Sequence, residues 1–412
     1  MDDQPPPRRT PSVGASGKEG TTTVSHRRLE IQLQPKVLRW ARERAGLPRE
    51  ILAAKIGVKP ERVERWETTG EISIAQVDKL AHHTRTPLGY LYLPEPVEET
   101  LPIPDLRTVG DRPPARPSPE LLDTIRMMQL RQAWLRDELI ERGEDPIPFV
   151  GSAQGRPPVE EIAQLIRDSL GLSDAWANAH PSWADALRDL RRRIEAAGVT
   201  VVINGVVGNN THRKLDVSEF RGFALVDEYA PLIFVNGADF TSAQMFTLVH
   251  ELAHIWIGQG GVSNFDRMQP APLEVERYCN AVAAEVLVPR AELMEYWATA
   301  QGTADPFGAV ARRFKVSTIV AARRALDLDL VTRDRFFEFY RTWEQHEHRQ
   351  KQRPSGGGDF WKTQSVRIGH RFGVAVVRAV LEDRLFYRDA YMLTGLRGKT
   401  FDKFVEQMEA EL

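Results

Sequence analysis

One cysteine, Cys279, stands in 412 residues, so the chain can close no disulfide within itself, and a reducing compartment is the expectation. Long apolar runs are missing too. No stretch of about 18 apolar residues occurs, which excludes a membrane-spanning helix. The opening Met1-Asp2-Asp3-Gln4-Pro5 lacks a basic segment followed by an apolar one, so no signal peptide is expected and the cytoplasm is the predicted location. Charge of one sign is not in excess either. A net charge of -2 and a pI near 6.6 carry no global nucleic-acid signature, so any DNA contact has to come from a local patch. Histidine is scarce, with 10 in the whole chain.

Two of those histidines lie four residues apart, in Thr247-Leu248-Val249-His250-Glu251-Leu252-Ala253-His254-Ile255-Trp256. On an α-helix this spacing is about one turn, so both imidazoles leave one face. A divalent metal needs convergent neutral nitrogens at about 2 Å, and the pair supplies two. Glu251, beside the first histidine, is placed to activate a water molecule.

Otherwise the composition is that of a globular protein, 42% hydrophobic and 27% charged, long enough for two or three domains. Residues 1–32 are rich in Pro, Gly, Ser and Thr and cannot bury a core, so a disordered leader is expected. Residues 33–93 read as short helices split by turn residues: 35–45, 49–56, 59–67, 74–83 capped by Ser73, and 88–93. Two short helices around a glycine turn make a helix-turn-helix. Residues 94–119 hold eight prolines and read as a stiff linker. An amphipathic helix follows at 120–142, then helices at 159–170 and 183–198. Continuous β-branched strands are expected at 199–203, 222–226 and 232–236, with 227–231 as a hairpin turn and 232–236 as a possible sheet edge open to an extended substrate. Thr241 or Ser242 is expected to cap the helix carrying the two histidines, and Gly258, Gly260 and Gly261 to end it.

A catalytic zinc takes three protein ligands. Pro272 opens a second helical pattern whose apolar face holds Val275, Cys279, Val282, Ala283 and Val286. Glu276 sits on or beside that face, 22 residues beyond His254, with Asn280 one turn further on. Asn280 is placed to accept the second ring N–H of a ligating histidine. Glu274 and Glu285 are the rival third ligands, although Glu274 points about 160° away from Glu276 on a helix. Zinc is the expected ion, but other divalent first-row metals suit two histidines and a carboxylate as well. For a developing oxyanion the sequence offers only available residue types, Tyr278, Tyr229 and His212.

Two resemblances rest on these residues. Leu52-Ala53-x-x-Ile56-Gly57-Val58, Val63-x-x-Trp66-Glu67-x-x-Gly70 and Ile74-x-x-Val77-x-x-Leu80-Ala81 resemble the lambda-repressor-like (XRE) family of DNA-binding domains. That resemblance implies that the helix from Pro60 to Glu67 enters the major groove, with Lys59, Arg62 and Arg65 as candidate contacts and Arg44 and Lys55 near phosphate. Glu61 and Glu64 depart from it by adding negative charge to the reading helix, and Arg49 stands where this family often has Gln. Further on, Arg221-Gly222-Phe223-Ala224-Leu225, Pro231-x-Ile233-x-x-Asn236, Phe246-Thr247-Leu248-x-His250-Glu251-Leu252-Ala253-His254 and Glu276-x-x-Cys279-Asn280-x-x-Ala283-Ala284-x-x-Leu287-x-Pro289 resemble the ImmA/IrrE metallopeptidases. The linker Leu101-Pro102-Ile103-Pro104-Asp105-Leu106-Arg107 resembles the subset of that family with a fused N-terminal DNA-binding domain.

The second resemblance implies a zincin-type fold, with His250, His254 and Glu276 as metal ligands and Glu251 as general base. It also implies cleavage of a regulatory protein, often an XRE-type repressor. The expected class is therefore α+β and mostly helical. It comprises an all-α helix-turn-helix domain at 33–93, a zincin-like metallopeptidase domain with a small sheet at 120–300, and a helical C-terminal region at 301–412. Within that last region, residues 304–326 read as a helix pair that packs or mimics a helix-turn-helix, and Ser355-Gly356-Gly357-Gly358 as a flexible break. The competing functional reading is an XRE-family transcriptional regulator or antitoxin-like protein whose metal fold is a sensor or scaffold. Partners are DNA and a protein substrate, no membrane is expected, and oligomeric state is not readable.

Overall fold

The computed structural model describes residues 30–106, 116–263, 274–350 and 360–409. Residues 1–29 of the expected leader, Arg107, Pro113 and Pro114 of the linker, Pro272, Leu273, and Ser355 to Gly358 lie outside the described residues. The chain divides into two compact units at Val97/Glu98.

The first unit runs β1 (Glu30–Gln32), α1 (Pro35–Arg44), α2 (Arg49–Ile56), α3 (Pro60–Thr69), β2 (Glu71–Ser73) and α4 (Ile74–Thr84), closed by a 3-10 turn at Leu88–Tyr92. The last three residues of the expected leader are not featureless: β1 pairs antiparallel with β2. Val37, Leu52, Val63, Trp66 and Leu80 fill one small core from all four helices. Prolines at the first positions of α1 and α3 give up an N–H that a helix start leaves unbonded.

An ion cluster ties three of these helices together. Glu67, 2% exposed on α3, accepts from Arg42 Nε of α1 at 2.5 Å and from Arg49 Nε of α2 at 2.8 Å. Arg49 also faces Glu64 at 3.6 Å. The cation that departs from the family pattern therefore serves the domain's interior. Burial pushes the Glu67 carboxyl up, but hydrogen bonds and charge from Arg42 and Arg49 outweigh it, and its pKa lies below the ordinary value.

In the second unit, α5 (Pro119–Glu141), α6 (Val159–Ser169) and α7 (Trp183–Ala196) precede β3 (Thr200–Asn204). A hairpin of β4 (Val206–Val207) and β5 (Asn210–Lys214), unforeseen because β5 is polar and largely exposed, leads to β6 (Gly222–Leu225) and β7 (Leu232–Asn236). Then come α8 (Thr241–Ile257), β8 (Gly261–Ser263) and α9 (Glu274–Leu287). The sheet order is β3-β7-β6-β8, with β3 parallel to β7 and the other pairs antiparallel.

Three expectations need correction. The strand at 232–236 is not an edge; β7 lies between β3 and β6 because both neighbours are as apolar as it is. The edges are β3 and β8, and β8, at three residues, is too short to show a period of two. Part of the linker lies along the β8 edge: Val262 N–H donates to Pro104 O at 2.9 Å and Leu106 N–H to Val262 O at 3.0 Å. Neither Thr241 nor Ser242 caps α8. Phe240 holds the cap position without a side-chain bond, while Gln244 Nε2 reaches back to Asp239 O at 2.7 Å.

The remaining helices are α10 (Arg290–Ala300), α11 (Pro306–Phe314), α12 (Thr318–Asp327), α13 (Arg333–Gln350), α14 (Phe360–Ile368), α15 (His370–Leu381), α16 (Tyr387–Thr394) and α17 (Lys399–Glu409). The pair α11 and α12 buries Phe307, Val310, Phe314 and Ile319 in the same core as α8 and α9, so it packs rather than standing free. The last helices share a second core with α5 through Leu135. Arg131 of α5 is fully buried and donates to Leu393 O at 2.9 Å and to Arg367 O and Ile368 O at 3.2 Å. Burial alone lowers its pKa, to about 10, and it stays a cation at the negative ends of α14 and α16.

Replacing Glu67 by Gln leaves Arg42 and Arg49 without their counter-charge and is expected to cost about 3 kcal/mol of local stability. Because the folded pKa is depressed, the Glu67 contribution is present above the unfolded carboxylate value of about 4.3 and fades as pH falls through the lower folded value. Amide exchange across α1–α3 of the full chain, wild type against Glu67→Gln, reads both effects; equal protection in the two proteins at pH 7 refutes the assignment.

Candidate metal centre

The middle of α8 is buried on every side. Its C-terminus stops at Gly258, whose φ of 71° suits a residue without Cβ, and the chain turns back so that Gln259 O receives His254 Nδ1–H at 2.8 Å. That bond fixes the tautomer and leaves the His254 Nε2 lone pair facing inward. His250 Nε2 lies 2.9 Å from it. Helix α9 returns against α8, and Glu276 on its inner side brings Oε2 to 3.3 Å from His250 Nε2 and Oε1 to 3.0 Å from His254 Nε2. Among the described residues these three form the group of side chains whose ligand atoms could hold a metal ion, all within 4.8 Å of one another.

The rivals on α9 point elsewhere. Glu274 is exposed and bonds Arg156 at 3.0 Å. Glu285 pairs with Arg324 and caps Arg290 N–H at 2.9 Å. Asn280, one turn beyond Glu276, faces the other histidine of the pair. Burial lowers the His250 pKa, and Glu276 and the Asn280 side chain push it up. A neutral ring with a fixed partner is the form that ligates. Burial drives the Glu276 carboxyl up too, but the two imidazoles overcome it and hold the pKa at about 2.

Glu251 stands apart. It is fully buried, and neither carboxylate oxygen has a hydrogen-bond partner among the described residues. Burial first, and the Glu276 charge second, raise its pKa well above the usual carboxylate range, while Ser263 of β8 opposes them. Two imidazoles and the Glu276 carboxylate in a buried pocket are the donor set of a divalent cation, and these residues fit one.

Sequence reasoning missed two residues here. Gly222 of β6 is one: a Cβ built there would lie 2.7 Å from Thr247 Cγ2, 2.9 Å from Phe234 O and 3.0 Å from Glu251 Oε1. The glycine lets α8 settle on the sheet with Glu251 inward, and a glycine inside a strand is the signal that was available. Ser263 is the other, buried on a strand too short to be seen. The oxyanion types are placed without a common focus. Tyr278 gives its hydroxyl to Pro157 O at 2.7 Å, Tyr229 sits in the β6–β7 turn, and His212 is exposed on β5.

The sheet, the two-histidine helix and the returning α9 fall within one stretch of sequence. Residues 194–326 match the IrrE N-terminal-like domain family (Peptidase_M78). All of His250, Glu251, His254, Glu276 and Asn280 lie within that matched stretch. Residues 38–91 match the helix-turn-helix family, and 368–407 match a domain of unknown function. No curated protein matches the chain.

In the helix-turn-helix unit, Lys55 on α2 and Lys59 at the start of α3 are exposed. Arg62 pairs with Glu30 at 2.7 Å and Arg65 with Glu71 at 2.6 Å, both on the surface. Arg44 donates to Arg85 O at 3.1 Å and lies over the Trp40 ring. Exposed pairs of this kind contribute at most about 1 kcal/mol, so phosphate can compete for these arginines.

Elemental analysis of the purified chain is expected to find about one divalent ion in wild type and in Glu274→Ala, and none in Glu276→Ala. Gly222→Ala should lower the free energy of denaturant unfolding by about 1–3 kcal/mol, since the added methyl meets backbone and a packed threonine; an unchanged unfolding midpoint contradicts the close-approach account.

Proposed function

We propose that the chain is a DNA-associated regulatory metallo-endopeptidase that hydrolyses a peptide bond in a repressor or other regulatory protein. The observation that carries the reading is the convergence of His250, His254 and Glu276 beside an unpartnered, buried Glu251. His250 and His254 offer Nε2 and Glu276 a carboxylate to a divalent ion, with zinc the first expectation. Bound there, such an ion supplies Lewis acidity toward water and a carbonyl oxygen. Glu251 takes the proton of the attacking water as general base and hands it to the leaving amine. Asn280 and the Gln259 carbonyl hold the two rings in register. The apolar surround excludes bulk water, which strengthens each of these interactions.

A substrate strand has one place to join the sheet on the β8 side, the edge that Pro104 to Leu106 now line. A Cβ at Gly261 would overlap Leu106 and Pro104 O, so the linker lies close there. On this reading the substrate displaces the linker from β8. The helix-turn-helix unit binds DNA through Lys59, Arg62 and Arg65, with Arg44 and Lys55 near phosphate, and a cytoplasmic setting follows from a DNA partner.

One observation favours a second reading, in which the fold is a sensor or scaffold of an XRE-type regulator. His250, Glu251 and His254 are each 0% exposed and Glu276 only 2%. Footprinting separates the readings: DNA binding lost in Arg62→Ala/Arg65→Ala, with no proteolysis by wild type, supports the regulator.

For the peptidase, incubation with candidate XRE-type repressors is expected to show cleavage by wild type and a rate about 10²–10⁴-fold lower with Glu251→Gln. Equal repressor loss with both proteins sinks the proposal.

A further inference from the structure

Away from the metal centre, a cleft of about 590 Å³ opens between α5, α7 and α15. Its walls are apolar in part, from Leu135 on α5 and Val374 on α15. Its charges are uneven. Glu195 of α7 is already committed: Oε1 accepts His370 N–H at 2.9 Å and Arg371 N–H at 3.4 Å, and Oε2 lies 3.2 Å from Arg191 Nη1. That carboxylate neutralises both the start of α15 and the nearest arginine.

Three cations are left over. Arg192 comes from α7, and Arg371 and Arg378 lie two turns apart on the same side of α15. No hydrogen bond or ion pair among the described residues engages these three guanidiniums. Arg371 Nη1 is buried without a partner. Glu382, at the end of α15, is held by Arg384 at 2.9 Å. Glu144, the other carboxylate on the wall, and Glu195 act on the Arg371 guanidinium through charge alone, as Glu382 does on Arg378. A guanidinium nitrogen removed from water with no acceptor is unfavourable, and it is retained here in a cleft with room for one.

The geometry points to a binding site for a phosphomonoester of nucleotide size. Its phosphate sits among Arg192, Arg371 and Arg378, and its body lies against Leu135 and Val374. Planar guanidinium forks match phosphate oxygens in pairs, and three of them exceed what one carboxylate needs. The volume lies inside the usual range for a small-molecule site, about 300–1,000 Å³. The ligand bridges α7, which packs on α8, to α15 of the domain of unknown function. Nothing in this inference depends on peptidase activity.

The test is calorimetric titration of the full chain with adenosine monophosphate, glucose 6-phosphate and inorganic phosphate at physiological salt. At least one organic phosphate is expected to bind saturably with one-to-one stoichiometry, and inorganic phosphate about tenfold or more weaker. Arg371→Gln and Arg378→Gln each weaken the organic ligand about tenfold or more, while Arg388→Gln, on exposed α16 surface, does not. Ligand-free Arg371→Gln keeps the wild-type fold by circular dichroism, so weaker binding in that variant is read as loss of the guanidinium and not as unfolding. Absence of saturable binding by all three probes below millimolar concentration overturns the proposal. So does binding undiminished in both arginine variants, or inorganic phosphate binding as tightly as the organic esters.

Discussion

Four titratable groups without water are the constraint on which the second unit depends. His250, His254, Glu251 and Glu276 sit where solvent cannot stabilise charge. Two carboxylates in such a place repel each other, and the Glu251 carboxyl is driven toward its neutral form by that repulsion together with burial. Only a partner of positive charge makes the arrangement favourable with both acids ionised. Two imidazoles whose Nε2 atoms lie 2.9 Å from each other, both facing the Glu276 carboxylate, form a group suited to a cation. The pocket is thus costly as a structural element, which is why the functional reading starts from it.

The surrounding fold places these groups by close approach. Gly222 brings the sheet against the helix at Glu251, and Gly258 turns the chain so that a backbone carbonyl holds His254. Asn280 of α9 lies on the His250 side and pushes the pKa of that ring up. The sheet is small, and one of its edges lies under the linker residues Pro104 to Leu106. Access to that edge and the path into the buried site are therefore linked questions.

Ion pairing elsewhere is divided between structure and surface. Glu67 fastens the helix-turn-helix from within, and Arg131 fastens the last helices to α5 by binding carbonyls. Both groups are buried and satisfied. The α7–α15 cleft differs because Arg371 Nη1 is buried there without a hydrogen-bond acceptor.

What the sequence by itself determined is whatever depends on local spacing. The four-residue interval of His250 and His254, the helical pattern around Glu276 and Asn280, the helices at 35–84 and the apolar strands β3, β6 and β7 all follow from periods of 3.6 or 2 along the chain. The choice of Glu276 over Glu274 and Glu285 was legible as a face, though only the neighbours of each acid distinguished them: Arg156 and Arg324 draw the rivals away. Tertiary structure alone decided the rest. β8 is three residues long and has no period, so its place at the edge, the pairing of Pro104 to Leu106 with it, and Ser263 beside Glu251 came from contacts distant in sequence. Arg49 stood out in the sequence only as a cation where the family often has Gln, and the fold supplied Glu67 as its partner. Each of those outcomes depends on which surfaces meet when the chain closes, which is not encoded in the spacing of any one segment.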